Sequence, residues 1–493
     1  RFFVPWLNEA CLLLQEGVAS AAAIDAVAMK AFRIGLGPFA LMNLTGPPIA
    51  LHSTDYLAEQ LETPRYVGAE NLREMVEAGN QWEIGDDTDC SEDAAQKIRT
   101  RLLGQVFAVA GQIVDEEICS LEDVDRGAKV GLRWARGPFE LANRLGIDDA
   151  KAMAEDYCEL ANFPVPEVWK RSKAFTFSYV DLSVNKGIAT ITINRPEAMN
   201  ALNETVVGQL GAAIDKANAD DSINTIVLDG AGKAFVAGAD VKFFVDKIRA
   251  DSFPDIYDFT ADGHKVLNKL ESSSKTTIAL TTGLSLGGGL ELALSCDYRI
   301  GTRKTQFRFP ETNIGIFPGL GGTQRPARIA GLPAARWAVL AGNFMDARTA
   351  ADLGLVTDLV DVTEVDSTIA ALDAKGKPVE KYPATPVNPE SKIAKFAASF
   401  YSDGNMDTIL KGGCPDGFDP EDKIVSRQLK SLSRTAPIAL RMASDLIDAA
   451  GTTELMTGLN QELDNLEAIF STNDALEGLS ALIEGRKPAY QNS

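Results

Sequence analysis

Histidine and cysteine are scarce in this sequence, and their placement excludes several kinds of site. Only two histidines occur, His52 and His264, and neither lies beside a nucleophile-like motif, which argues against a Ser-His-Asp or Cys-His mechanism. The six cysteines are scattered and contain no Cys-x-x-Cys pair: Cys11, Cys90, Cys119, Cys158, Cys296 and Cys414. We therefore predict free thiols in a reducing compartment and no metal site.

Basic residues and long apolar runs are also in short supply. The 493 residues contain 48 Lys and Arg against 69 Asp and Glu, a net charge of −21, which argues against a nucleic-acid partner because phosphates require clustered basic side chains. The most apolar stretch, 277–296, includes three consecutive glycines and Glu291, so it is too interrupted to cross a bilayer. The composition predicts a globular, cytoplasmic protein of about three domains with no membrane partner.

The first 150 residues contain an internal repeat with an offset of 100 residues. Nine positions match between the copies: Ser20/Ser120, Asp25/Asp125, Ala28/Ala128, Gly37/Gly137, Pro38/Pro138, Phe39/Phe139, Leu41/Leu141, Asn43/Asn143 and Gly46/Gly146. Apolar residues at helical spacing predict a small helical bundle in each copy, with the shared serine at a helix start and the Gly-Pro-Phe step as a helix break.

Residues 1–170 resemble the C-terminal domain of 3-hydroxyacyl-CoA dehydrogenases. The family's pattern appears as Asn8-Glu9-Ala10, then Ile24-Asp25, then Gly37-Pro38-Phe39, with a degenerate second copy. In that family the NAD-binding Rossmann domain and a catalytic His-Glu pair lie upstream of this domain. The resemblance therefore implies that NAD would bind only if such a domain precedes Arg1. Because the chain starts with Arg1 instead of methionine and has no signal-peptide pattern, we expect it to be a cut chain with further residues upstream.

A short glycine motif in the same region imitates a dinucleotide-binding fingerprint. Residues 35–40 read Gly-Leu-Gly-Pro-Phe-Ala and satisfy Gly-x-Gly-x-x-Ala. They follow a helical pattern instead of a strand, and no βαβ unit surrounds them. We interpret the motif as a helix-breaking turn and assign no cofactor to it.

Strand-like alternation begins near Val180 and alternates with helical segments from there on, which predicts an α/β domain with crossover helices. We predict a first helical unit at 1–96, a second, degenerate one at 97–172, an α/β core at 173–361, and a C-terminal region at 362–493. The last region contains an insertion at about 372–425, to which we assign no role, and a helical cover.

Two glycine-rich loops in the second half allow backbone amides to approach a ligand. The first is 237–240 (Ala-Gly-Ala-Asp); the second, 285–291, leads into an apolar helix whose N-terminal amides suit a developing oxyanion. Two carboxylates in apolar surroundings, Glu291 and Glu311, would suit general acid/base chemistry of hydration or elimination if they converged on one water. Spacing alone leaves this pairing open, and tight strand–helix packing explains the glycines equally well.

These motifs, with residues 310–325, are similar to the enoyl-CoA hydratase signatures of the crotonase superfamily. The resemblance implies a crotonase-type α/β spiral of ββα repeats with C-terminal helices, placed after the duplicated all-α domain. It also implies an oxyanion hole formed by the amides of Ala239 and Gly288, and a water bound and activated by Glu291 and Glu311. In this assignment Glu311 protonates Cα and Glu291 orients the attacking water.

Further positions of the same motifs are expected to contact the substrate: Ala237, Gly238, Asp240, Gly287, Pro318 and Gly319. The resemblance covers residues 177–361. The terminal helices look like those that cover the acyl-CoA site in hydratases, and the two related families imply a homo-oligomer based on trimers or dimers.

The combined resemblances predict an enoyl-CoA hydratase for short-chain substrates such as crotonyl-CoA, fused behind the remnant of a dehydrogenase. The CoA thioester is the substrate, and no cofactor is expected in this chain. One alternative is a superfamily isomerase, or a thioesterase similar to 3-hydroxyisobutyryl-CoA hydrolases, although those hydrolases carry Asp where Gly319 stands and lack a counterpart of Glu291. An alternative of another class is a noncatalytic acyl-CoA-binding scaffold.

Overall fold

The structure, a computed structural model, describes residues 1–170 and 173–493, which fall into two units, Arg1–Ser178 and Tyr179–Ser493. The predicted boundary between 172 and 173 adjoins the two residues outside these ranges, and the division lies a few residues later. All six cysteines are unpaired. Within the two described ranges, no helix has both the length and the apolar character that spanning a membrane requires.

The regular elements described in the first unit are helical. They are α1 (Phe3–Gln15), α2 (Ala21–Phe32), α3 (Pro38–Thr45), α4 (Pro47–Gln60), α5 (Glu70–Glu77), α6 (Glu92–Asp115), α7 (Leu121–Arg126), α8 (Pro138–Leu145) and α9 (Ile147–Ala161). The two copies of the repeat share one core: Trp6 and Phe32 of the first copy pack against Trp134 of the second, with ring centroids 5.8 and 4.8 Å from Trp134. The predicted division at 96/97 falls within α6, which packs against helices of both copies.

The repeated aspartate and Gly-Pro-Phe step form the same anchor in both copies. The Asp25 carboxylate accepts the backbone N–H groups of Phe39 and Ala40 at 2.8 and 2.9 Å, and Asp125 accepts those of Phe139 and Glu140 at 2.8 Å each. Each aspartate thus binds two unpaired amides at the start of the following helix. The glycine before each proline leaves room for this contact: a Cβ atom on Gly37 would lie 2.3 Å from Asp25. The predicted helix-breaking turn is confirmed, and the motif at 35–40 does not follow a strand.

The second unit alternates strands and helices and ends in a helical segment. Its strands are β1 (Val180–Asn185), β2 (Ile188–Ile193), β3 (Thr225–Gly230), β4 (Ala234–Ala237), β5 (Thr276–Thr281), β6 (Leu284–Leu286), β7 (Tyr298–Gly301), β8 (Gln306–Arg308), β9 (Met345–Asp346) and β10 (Asp358–Leu359). Its helices are α10 (Glu204–Ala219), α11 (Val241–Arg249), α12 (Phe253–Glu271), α13 (Gly288–Ser295), α14 (Arg325–Ala330), α15 (Leu332–Leu340), α16 (Ala347–Leu353), α17 (Val365–Lys375), α18 (Lys392–Phe400), α19 (Met406–Leu410), α20 (Lys423–Leu432), α21 (Pro437–Ala449), α22 (Leu455–Asp464), α23 (Leu466–Phe470) and α24 (Asn473–Glu484).

The strands form two sheets, and from β3 onward each successive pair along the chain contributes one strand to each sheet. The larger sheet has the order β1-β2-β3-β5-β7-β10 and the smaller one β4-β6-β8-β9. Only β1–β2 and β8–β9 pair antiparallel; the other described pairs are parallel. The pairs β3–β4, β5–β6 and β7–β8 thus repeat a ββα pattern, which confirms the predicted fold class. The parallel strands β4 and β6 end side by side, and the two glycine-rich loops follow them directly.

The insertion contacts the rest of the second unit through charged and polar side chains. Lys377 pairs with the buried Asp297 at 3.0 Å, and both Lys381 and the hydroxyl of Tyr382 contact Glu271. The insertion contains α18 and α19 and joins α20, so its Pro-rich start is followed by regular structure. Residues 319–324 form turns, and α14 begins after them at Arg325.

Candidate active site

A cavity of about 380 Å³ lies in the second unit where β4 and β6 end. Its wall includes the first turn of α13, a 3₁₀ turn at Glu311–Ile314, and side chains of α11, α12, α23 and α24. Eight of the predicted site residues line it: Ala237, Gly238, Ala239, Gly287, Gly288, Glu291, Glu311 and Gly319. The cavity therefore brings together residues that are up to 82 positions apart in the sequence, from 237 to 319.

The glycines of the second loop allow α13 to start in the buried interior of the second unit. Gly287 has φ +45°, a conformation that side chains with a Cβ atom rarely adopt, and it precedes the helix as its N-cap. At Gly289 a Cβ atom would lie 2.0 Å from the carbonyl oxygen of Val236 at the end of β4. The glycine at 289 therefore serves close packing of helix on strand, while the glycine at 287 turns the chain. Of the explanations that the sequence left open, tight strand–helix packing therefore applies at position 289.

Two backbone amides on the cavity wall are free to bind a ligand. Gly288 is the first residue of α13, so its N–H has no acceptor within the helix. Around Ala239 the chain pairs with Leu202 through the carbonyl of Gly238 and the amide of Asp240, which leaves the Ala239 amide out of the pairing. In the described part of the chain, neither amide donates a hydrogen bond. Paired donors of this kind suit an oxygen that gains negative charge during a reaction.

Glu291 lies on the first turn of α13 and is 2% exposed. Its Oε1 accepts the backbone N–H groups of Leu320 and Gly322, both at 2.7 Å. Burial raises the pKa of this carboxyl to about 7, although the two amides and the charge of Arg325 act in the opposite direction. One oxygen is thus fixed by the protein, and the carboxyl group exchanges a proton near neutral pH.

Glu311 begins the 3₁₀ turn and is 7% exposed. Its Oε2 is buried and has no hydrogen-bond partner within residues 1–170 and 173–493. Burial, and then the negative charge of Glu291, raises the pKa of Glu311 well above its usual value. The two carboxyl groups are thus both buried on the wall of one cavity, and the charge of Glu291 opposes ionisation of Glu311.

Two predicted contact residues do not line the cavity. The Asp240 carboxylate accepts the backbone N–H of Lys242 at the start of α11 and lies 3.7 Å from Arg195, so it caps a helix. Pro318 lies beside Gly322, where a Cβ atom would be 2.5 Å from the proline ring. Asp240 and Pro318 therefore help to shape the loops, while the backbone next to each of them lines the cavity.

Several residues at the site were not found by sequence reasoning. Glu462 on α22 is fully buried and accepts N–H groups from the same turn that binds Glu291, and His264 on α12 contacts the carbonyl of Gly319 at 2.7 Å. A signal for Glu462 was present, because Leu459 and Leu466 flank it at helical spacing and a carboxylate in such an apolar face is rarely solvated.

An aromatic wall made of Phe244, Phe259 and Phe470 closes one side of the cavity, and it was also not predicted. The rings of Phe244 and Phe470 stack with centroids 5.1 Å apart, and Phe259 packs against Phe244 at 5.8 Å. These side chains come from α11, α12 and α23. Their contribution to one wall depends on how these helices pack, which the sequence pattern does not give.

The family model of enoyl-CoA hydratase/isomerase matches residues 188–493. The chain belongs to the enoyl-CoA hydratase/isomerase family. This confirms the resemblance predicted from the glycine loops and the two glutamates. A second model, the C-terminal domain of 3-hydroxyacyl-CoA dehydrogenase, matches residues 1–83 and 98–174, and so confirms the assignment of the duplicated helical unit.

Individual proteins of the enoyl-CoA hydratase/isomerase family match over most of their length. A probable enoyl-CoA hydratase of Mycobacterium tuberculosis is 30% identical over 315 residues, which is 64% of this chain and 98% of that protein. A short-chain-enoyl-CoA hydratase of Clostridium acetobutylicum is 30% identical over 301 residues, 61% of this chain and 92% of that protein. A crystal structure of a carnitinyl-CoA dehydratase from Mycobacterium thermoresistibile superimposes with a TM-score of 0.54 at 22% identity, covering 64% of this chain and 92% of that one, and shares the fold.

Proposed function

We propose that the second unit hydrates short-chain trans-2-enoyl-CoA thioesters to 3-hydroxyacyl-CoA. The observation that carries this proposal is the pair of buried carboxyl groups, Glu291 and Glu311, on the wall of one cavity beside the free amides of Ala239 and Gly288. Hydration needs these groups together: donors for a thioester oxygen that becomes an enolate, a base for water, and an acid for Cα. The similarity to proteins named as enoyl-CoA hydratases supports the same reaction.

In the proposed mechanism the thioester oxygen accepts hydrogen bonds from the amides of Ala239 and Gly288. Polarisation of the thioester makes Cβ electrophilic, and water attacks Cβ while giving a proton to Glu291. Glu311, whose raised pKa favours the protonated form, delivers its proton to Cα. The two carboxyl groups end the cycle with the proton exchanged between them, and transfer back through solvent restores the starting state. Addition from one wall makes the reaction a syn addition.

The aromatic wall supports a short acyl chain. Phe244, Phe259 and Phe470 occupy one side of a cavity of only about 380 Å³, which is small for a ligand that includes a long acyl chain. Aromatic rings held by mutual stacking do not retract easily, since such pairs contribute about 0.5–1.5 kcal/mol beyond their burial. Crotonyl-CoA is therefore the proposed test substrate.

The decisive experiment incubates the chain with crotonyl-CoA and follows loss of the absorbance of the conjugated thioester. We expect hydration without release of free CoA and without migration of the double bond. Release of CoA would favour a thioesterase, migration an isomerase, and binding without any turnover a scaffold. Each of these results would overturn the proposed function.

We further propose the setting in which this activity operates. The duplicated helical unit supports a protein whose upstream part is a dehydrogenase acting on the 3-hydroxyacyl-CoA product. This chain would need no cofactor of its own, NAD being required only by an upstream Rossmann domain.

Unpaired cysteines and an acidic composition support a cytoplasmic protein. A homo-oligomer is proposed from the family resemblance, and light scattering of the purified chain would test it.

A further inference from the structure

Four consecutive amides of one turn are divided between two buried glutamates. The N–H groups of Leu320 and Gly322 donate to Glu291, each at 2.7 Å. Those of Gly321 and Thr323, between and after them, donate to Glu462 at 2.6 and 3.1 Å. The turn therefore lies between two carboxyl groups that face it from opposite sides, one from α13 and one from α22.

Glu462 is as deeply buried as any residue of the second unit, with no exposed surface. Besides the two amides, the hydroxyl of Thr323 donates to it. Nearby charged or titratable groups come from each surrounding element: Glu291 on α13, His264 on α12 at 3.8 Å, and Arg325 and Arg328 on α14. It is not on the cavity wall, so it touches no substrate in the proposed reaction.

The ionisation of Glu462 is linked to that of Glu291. Burial, and then the charge of Glu291, raises the pKa of Glu462 to about 8, against the opposite effect of its three donors. His264 does not supply a neutralising charge, because burial and the charge of Arg325 lower its pKa to about 4. Ionisation of Glu291 therefore disfavours ionisation of Glu462.

We propose that Glu462 is a positioning residue for the hydration: by holding Gly321 and Thr323 it keeps the amides of Leu320 and Gly322 directed at Glu291. The inference rests on the proposed function. A turn released on the Glu462 side can rotate, and the carboxylate that activates water then loses its fixed orientation. Changes of this kind, remote from the reacting atoms, cost about ten- to a hundredfold in rate.

The test is Glu462→Gln, which keeps the size of the side chain. In this variant an NH2 group replaces one of the two carboxylate oxygens that accept hydrogen bonds, so one donor faces another. We expect kcat for crotonyl-CoA to fall about ten- to a hundredfold while KM stays within about twofold, because acyl-CoA contacts are untouched. The pKa of Glu291 should also rise, because the two amides that lower it are no longer held at its oxygen, so the acidic limb of kcat/KM moves to higher pH. Thr323→Val removes only the hydroxyl donor and should shift the limb in the same direction by less.

The matched control is Asp297→Asn, a buried carboxylate that accepts the backbone N–H and the hydroxyl of one threonine, Thr277, at 2.9 and 3.0 Å. It lies off the cavity wall, so we expect it to lower the melting temperature without changing kcat or the pH limb. Unchanged kcat and an unchanged limb in both Glu462→Gln and Thr323→Val would overturn the proposal.

An infrared titration of the carboxyl groups without substrate makes the result independent of activity, with Glu291→Gln assigning the band. A higher pKa of Glu291 in Glu462→Gln supports the proposal, and an unchanged or lower pKa overturns it. Failure of the wild type to hydrate crotonyl-CoA overturns the proposed function and is seen separately.

Discussion

Gly287 lies against the carboxyl group of Glu311, so closely that a Cβ atom on the glycine would be 2.1 Å from Oε1. The glycine also has φ +45°, so any side chain there meets both backbone strain and a collision. The position of the proposed acid therefore depends on a residue that has no side chain.

We expect Gly287→Ala to displace Glu311 and to reduce hydration of crotonyl-CoA by at least about a hundredfold, the contribution of a general acid. Gly208→Ala on α10 is the control, since a Cβ atom there meets nothing within 4 Å. That change should stabilise the protein by ~0.4–1 kcal/mol and leave turnover unchanged. Steady-state kinetics and denaturant unfolding measure both effects, and normal turnover in Gly287→Ala would contradict the assigned role of Glu311.

Removal of the proton that Glu311 carries gives a second prediction. In Glu311→Gln we expect kcat to fall by about a hundredfold or more, because no group remains to protonate Cα, while KM changes little. Solvent-deuterium exchange at Cα of a saturated acyl-CoA should be lost in parallel. Near-normal kcat would remove Glu311 from the mechanism.

Glu311→Gln also predicts a change in the pH dependence of stability. The folded-state pKa of Glu311 lies well above the value of about 4.5 expected in the unfolded chain, so its proton stabilises the fold below pH 4.5 and this contribution is lost as pH rises through the folded pKa. The glutamine variant does not lose stability in this way, because its side chain does not ionise. Its melting temperature relative to wild type should therefore increase from pH 5 to pH 8, and a difference independent of pH would argue against a buried, protonated Glu311.

The sequence motifs were sufficient to predict the fold and the part of the cavity wall that the two glycine-rich loops and the two glutamates form. The strands and the glycine-rich loops after Ala237 and Leu286 are visible in the local sequence pattern. Because β4 and β6 are parallel, the loops that follow them lie at the same edge of the sheet. The helical repeat was equally visible, because Asp25 and the Gly-Pro-Phe step recur at the same spacing.

The parts that sequence reasoning missed depend on packing between distant elements. Glu462 meets its turn only because α22 folds back across a chain separation of 139 residues. Asp240 belongs to a motif at the site, but its side chain caps α11 while the adjacent amide reaches the cavity. A motif identifies the segment; which atom of the segment faces the ligand is decided by backbone direction.

The pH profile of hydration follows from the two proposed roles. Glu291 must be ionised to accept a proton from water, so kcat/KM should fall as pH decreases below its pKa of about 7. Glu311 must be protonated, so kcat/KM should also fall as pH rises through the raised pKa of that group. The expected profile for crotonyl-CoA is a bell with its acidic limb near pH 7. In Glu291→Gln the acidic limb should disappear from whatever activity remains; an unchanged limb would assign it to another group.

The aromatic wall predicts the acyl-chain preference. Phe259→Ala should open the side of the cavity closed by Phe244 and Phe470, so that additional methylene groups become buried, each contributing about 0.8 kcal/mol at most. We expect kcat/KM for octenoyl-CoA relative to crotonyl-CoA to rise by about tenfold or more. Phe243→Ala is the matched control, since Phe243 packs on Phe259 at 4.9 Å but does not line the cavity. An equal change of the ratio in both variants would attribute it to loosened packing, and no change in either would place the end of the acyl chain elsewhere.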